Sequence, residues 1–167
     1  GVGGTPQSVA RAGTLGLPLA LGIIGGEPAR FAPLFDLYRK SAAQAGHDPD
    51  TLETSLNVHG FVAPTSQQAR DIYSGPHNEV MTRLGGERGW PPATRAQFDA
   101  SASPTGALFV GGPAEMTDKI LAHHEIFGFT RMLIQMAIGI LDHKSMMQAI
   151  EILGTEVAPA VRKALAE

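Results

Sequence analysis

The sequence predicts an α/β fold in which parallel strands alternate with helices. Three observations carry that reading. Short apolar runs alternate along the chain with longer amphipathic segments. Gly-Gly followed closely by Pro opens helical segments at Gly3-Gly4-Thr5-Pro6, Gly25-Gly26-Glu27-Pro28 and Gly111-Gly112-Pro113. Strands that alternate with helices are joined by right-handed crossovers, which place them parallel in one sheet. At 167 residues the chain suits a single domain, 1–167, with a real core.

The elements follow in order. Gly1 to Gly3 reads as the last turn of a strand. Pro6 to Thr14 reads as a short helix, with Thr5 as N-cap and Pro6 at the first helical position. Leu17 to Ile24 is a continuous apolar run, as in a strand buried on both faces. A second helix extends to about Ala45, with Phe31, Leu34, Phe35 and Tyr38 at helical spacing. After the turn His47-Asp48-Pro49-Asp50, Leu52 to Ala63 reads as a strand. Ser66 is the expected cap of a helix from Gln67 to about Leu84. Gly85 to Gly106, rich in Gly, Pro and small polar residues, shows no clean period and reads as a long loop or lid. Leu108 to Val110 is a very short apolar piece before a helix that runs to about Phe127. Arg131 to Met136 is a strand, Asp142 caps a further helix, and a last helical segment spans Val157 to Leu165.

Composition narrows the function classes. Hydrophobic residues make up 43%, charged residues 17%, and the net charge is −3. Lys and Arg are scattered, so there is no electrostatic footprint for nucleic acid or anionic lipid. No apolar run reaches membrane-span length, and no signal-peptide pattern is visible. The chain has no cysteine, which excludes disulfides, thiolate metal sites and a Cys nucleophile and fits a cytoplasmic protein.

The first chemical candidate is Gly3-Gly4-Thr5-Pro6-Gln7-Ser8. Glycines let backbone approach a ligand, a helix N-terminus offers free N–H groups, and Thr5 and Ser8 share one side of the first turn. That arrangement suits a phosphate, although Thr5 could equally be only a cap. The stretch is neither a Walker loop nor a dinucleotide fingerprint. The second candidate is the recurring Gly-Gly turn, read as a generic way to start a helix. The third is strand Leu52 to Ala63, where period two puts Ser55, Asn57, His59 and Phe61 on one face. A polar row is unusual for a plain core; His59 is either a pocket residue or a satisfied core histidine. The fourth is Gln135, a lone amide in an apolar strand that must find partners. His123 and His124 are adjacent on a helix and so do not form a metal pair. His47, His77 and His143 are expected near turns or helix ends, in solvent. The methionines read as core filler, and no metal site is expected.

GVGGTPQSVARAGTLGLPLALGIIGG and FAPLFDLYRKSAAQAGHD, with LFVGGPAEMTDKILAHHEIFGFTRMLIQM and AIEILGTEVAPAVRKAL, resemble the second half of the bacterial-luciferase-like flavin monooxygenases. The likeness covers nearly the whole chain apart from the Gly85 to Gly106 stretch. It implies the C-terminal half of a (β/α)8 TIM barrel, from the end of strand 5 through helix 8, the whole barrel being about 250 residues or more. It implies that reduced FMN, supplied by a flavin reductase or NAD(P)H, reacts with O2 and oxidises a small organic substrate. By the same resemblance, Gly3, Gly4, Thr5 and Ser8 hold the flavin phosphate, and Asn57 and His59 line the pocket. Sulfonate-oxidising relatives carry a basic residue where Asn57 stands, which argues against a sulfonate. Phe61 and Ile138 suggest an apolar pocket wall. Within the same fold, a deazaflavin (F420)-dependent oxidoreductase is the alternative, and a non-catalytic flavin- or phosphate-binding protein is the alternative from another class. A half barrel leaves unpaired strand edges, so pairing with the N-terminal half or a homo-oligomer is expected.

Overall fold

The computed structural model describes residues 4–166. Helix α1 (Pro6–Thr14) starts where expected: Thr5 is extended, its side chain accepts the Ser8 N–H, and Pro6 opens the helix. Strand β1 (Leu19–Gly22) follows, then a 3-10 turn (Pro28–Phe31) that runs into α2 (Ala32–Gln44). Strand β2 (Thr54–Val62) leads into the long helix α3 (Ser66–Gly86). Then come α4 (Arg95–Ser101), β3 (Phe109–Gly111), α5 (Pro113–Phe127) and β4 (Arg131–Gln135). Asp142 caps α6 (His143–Ile152), and a π turn (Leu153–Val157) joins it to α7 (Ala158–Ala166). Among the described residues no helix is long and apolar enough to cross a membrane.

The four strands form one parallel sheet centred on β2. Its first half pairs with β1, from Leu19↔Thr54 to Gly22↔Asn57. β4 pairs from Ser55↔Arg131 to His59↔Gln135. β3 pairs with the last residues of β2, from Gly60↔Phe109 to Val62↔Gly111. Residues in register share a face. One face, carrying Leu19, Leu21, Leu56, Val58, Met132 and Ile134, is buried or half-buried against the helices. The other carries Ala20, Gly22, Ser55, Asn57, His59, Arg131, Leu133 and Gln135, and Leu133 there is 51% exposed.

Helices α1, α2 and α5 hold the covered face. Phe35 of α2 meets Phe127 of α5 with ring centroids 5.1 Å apart. Tyr38 donates its hydroxyl to the Leu17 carbonyl at 2.7 Å, and Arg39 donates to the carbonyls of Phe127 and Gly128 at the end of α5. Lys119, only 4% exposed, donates its Nζ to the carbonyls of Ser103 and Leu108 at 2.6 and 2.7 Å and lies over the Phe109 ring. Burial pulls its pKa down to about 8, outweighing the opposing pull of Glu115. It ties the segment before β3 to the helix layer.

Two details differ from the sequence reading. The stretch Gly85 to Gly106 is not all loop: it contains α4, started by a capping box in which Thr94 and Gln97 satisfy each other's backbone. Phe98, 2% exposed, anchors this helix against Tyr73 and His77. The cap of α3 is Thr65, which accepts the Gln68 N–H, not Ser66. Ser66 Oγ instead accepts the Gly112 N–H at 3.0 Å, so the Gly111-Gly112 turn spends that donor inside the fold.

Candidate functional site

The glycine turn before α1 and the ends of β2 and β4 carry the predicted side chains. At the turn, Gly4 is left-handed, with φ +70°, a conformation that glycine adopts without strain. A Cβ there would lie 3.8 Å from Leu21 Cδ1, so the turn rests against the last residues of β1. Thr5 Oγ and Ser8 Oγ are 2.8 Å apart and exposed. No acidic residue stands in the first turn of α1, whose positive end favours an anion. Gly3 lies outside the described residues.

Asn57, His59 and Gln135 come together because β2 and β4 are in register. His59 pairs with Gln135, and Asn57, two residues back, pairs with Leu133. Asn57 Oδ1 accepts the Ser55 hydroxyl at 2.6 Å, and the Asn57 carbonyl accepts the Ile23 N–H at the end of β1. His59 and Gln135 open onto a cavity of about 400 Å³ walled by Glu79, Val80, Arg83 and Leu84 of α3 and by the loop Ala137–Ile140 after β4. Since all strands are parallel, the Gly4 turn and this cavity lie at the same, C-terminal, edge of the sheet, the functional edge of parallel α/β folds. Among the described residues no cluster of His, Cys, Asp or Glu could hold a metal ion.

Behind the cavity sits an aromatic layer. Phe61 is fully buried and stacks on Tyr73 at 5.4 Å; it does not line the cavity, whereas Ile138 does. The Tyr73 hydroxyl donates to the Gln135 carbonyl at 3.4 Å. Burial pushes the Tyr73 phenol well up, so it stays protonated. His77 corrects the expectation of a solvated residue. It is 8% exposed, held between Tyr73 and Phe98, because Ala69, Tyr73 and His77 recur every fourth residue along the buried stripe of α3. That spacing was the available signal. Burial lowers its pKa, with the neighbouring Asn78 amide opposing the shift. His59 is lowered to about 4, first by burial and then by repulsion from His77, so at neutral pH it is an uncharged imidazole. Such a ring can accept or donate a proton at the cavity wall.

His123 is buried in the helix layer between Phe109 and Phe127, its Nδ1 paired with the Lys119 carbonyl. His124 packs edge-on against Phe129. The adjacent histidines therefore point apart, as their positions on one helix require.

A family profile described as luciferase-like monooxygenase matches residues 1–130. None of the curated proteins compared matches the chain. Monooxygenase RslO1 from Streptomyces bottropensis has a similar solved structure, with a TM-score of 0.73 and 23% identity, over 95% of this chain and 46% of that one. The oxygenating constituent of 3,6-diketocamphane monooxygenase from Pseudomonas putida, solved with FMN, gives 0.66 and 20% over 92% and 45%. The coenzyme F420-dependent tetrahydromethanopterin reductase from Methanopyrus kandleri gives 0.59 and 20% over 93% and 48%. These likenesses are of fold, and the chain spans about half the length of the structures it matches.

Proposed function

Because the chain belongs to the luciferase-like monooxygenase family, we propose that it forms the phosphate-binding and pocket-lining part of an FMN-dependent monooxygenase acting on a small organic substrate with O2. The observation that carries this reading is the Gly4-Thr5-Ser8 turn on the same edge of the sheet as the His59–Gln135 cavity.

The residues at the turn suit a phosphate. Gly4 lets the backbone approach, the hydroxyls of Thr5 and Ser8 can both donate, and the helix end is positive. The reduced flavin supplies the electrons with which O2 oxidises the substrate. The protein supplies the rest. Neutral His59 takes or returns a proton through the nitrogen that faces the cavity. Gln135 and Asn57 offer amides that orient polar groups, and Ile138 gives an apolar wall. Helix α3 forms one wall of the cavity, and α4 packs against α3 through Phe98 and His77.

Replacing Thr5 and Ser8 together by Ala weakens FMN binding by roughly 10- to 100-fold, as expected for losing two hydrogen bonds to a charged group at an exposed site. Riboflavin, which lacks the phosphate, binds as before. Titration of both ligands by flavin fluorescence checks this, and equal losses for the two refute the phosphate assignment. The same turn accepts a phosphate of coenzyme F420, so the absorbance of the cofactor retained on purification decides between flavin and deazaflavin. O2 uptake driven by reduced flavin over a substrate panel separates an enzyme from a non-catalytic binder.

In this reading the sheet is the C-terminal half of a (β/α)8 barrel, and the row Ser55, Asn57 and His59 lines its interior. Coverage of under half of the three structures described above supports it, as does the exposed face around Leu133. The outer edges of β1 and β4 then pair with a complementary half or a second copy. Light scattering finds an assembly in that case, and a well-folded monomer at high dilution overturns it. A flavin reductase supplies the reduced cofactor.

A further inference from the structure

Two imidazoles stand one behind the other at the cavity wall. The rings of His59 and His77 lie edge to face, with centroids 5.9 Å apart and planes at 76°. His59 Nδ1 is buried with no hydrogen-bond partner among the described residues, and so are both ring nitrogens of His77. These are three of the four such side-chain atoms among the described residues; the fourth belongs to His123, in the helix layer. His59 Nε2 is not among these buried, unpaired atoms, and His59 lines the cavity.

Buried imidazole nitrogens are costly to leave unpaired, and native folds pair them with protein or water. A ring separation of 5.9 Å is too long for a direct imidazole–imidazole hydrogen bond and fits one bridging water. His77 has little freedom to turn elsewhere, since Tyr73 and Phe98 pack against it at 5.6 and 5.5 Å. We propose that His77 is a positioning residue that engages the buried Nδ1 edge of His59 through one bridging water and thereby fixes which tautomer His59 presents to the cavity.

The two neutral tautomers of imidazole offer opposite chemistry at the outer nitrogen, a lone pair or an N–H. Fixing one of them decides whether His59 acts there as acceptor or donor. Of the other groups facing the pair, the Asn78 amide acts on His77 and not on His59. Tyr73 directs its hydroxyl to the Gln135 carbonyl, Gln135 is neutral, and Glu79 and Arg83 of α3 line the outer wall. The proposal rests on His59 lining the cavity; its catalytic meaning rests on the monooxygenase reading, but its test does not.

The test is nitrogen NMR of the imidazoles in the chain without cofactor. His59 is expected as a single neutral tautomer from about pH 5.5 to 8, as for a ring whose titration lies near 4. His77→Phe keeps the aromatic packing but removes both nitrogens. In it the two His59 nitrogen shifts converge, reporting a tautomer mixture. His77→Gln retains a donor and an acceptor and restores the separation. A mixture already present in the wild-type chain, or unchanged His59 shifts in His77→Phe, overturns the proposal. The wild-type measurement stands even where a variant folds poorly. Loss of FMN binding with these shifts intact would sink the cofactor reading alone.

Discussion

Acidification from pH 7 to pH 4 destabilises this fold, and the loss begins above the range in which its carboxylates protonate. His59, His77 and His123 are all held neutral, chiefly by burial, with His59 lowered to about 4. In the unfolded chain each takes up its proton near pH 6.5. Between about 6.5 and 4 the unfolded state binds more protons, so stability is fully present above 6.5 and falls as pH drops through that window. At 1.36 kcal/mol per pKa unit the His59 shift sets an upper bound of roughly 3 kcal/mol; its solvent access reduces that to about 2 kcal/mol, and the two more buried histidines add to it. Asp142, lowered by the hydrogen bonds from Ser145, loses its contribution only below about pH 4. Urea midpoints measured at pH 7, 5.5 and 4 check the effect. An unchanged midpoint across that series means that these imidazoles are not buried neutral.

Gly60→Ala is the most damaging single methyl the sheet can receive. A Cβ at Gly60 would stand 2.5 Å from the Phe109 carbonyl oxygen and 2.8 Å from Ile134 Cγ2. The first contact is backbone, so relief requires β2 and β3 to separate where they pair. Overpacking of this kind costs about 3 kcal/mol, or a Tm lowered by roughly 10 °C for a chain of this size. Gly22→Ala is the control: its Cβ meets nothing within 4 Å, and Tm should move little. Thermal unfolding of the two variants side by side decides the matter, and equal Tm values would show that β3 does not sit on β2 as described.

Much of the fold was legible because its signals are local. Thr5-Pro6 starts a helix by satisfying one N–H and supplying a residue that has none, and Asp142 acts alike at α6. The β2 row was legible from period two, and β2–β4 pairing then brought His59 to Gln135 without further information from the sequence. What escaped depends on distant partners. Helix α4 has one buried anchor, Phe98, among small and polar residues, so no apolar period exposes it. His77 follows Gly75-Pro76, which suggests a break, yet α3 continues through that proline and buries the ring. Phe61 was placed on the correct strand face but not beneath α3, because only the tertiary fold sets Tyr73 on it.

The central place of β2 also bears on how the chain assembles. Residues 35 apart in sequence, Leu19 and Thr54, meet first along the chain, whereas Ser55 must wait for Arg131, 76 residues later. Closing the longer loop carries the larger entropy loss, and contacts between distant residues slow folding. The α1–β1–α2–β2 unit can therefore form early, with β4 joining late. Amide hydrogens on β4 should then exchange through partial opening that leaves β1–β2 intact, and the His59–Gln135 wall of the cavity would be completed in one of the last steps of folding.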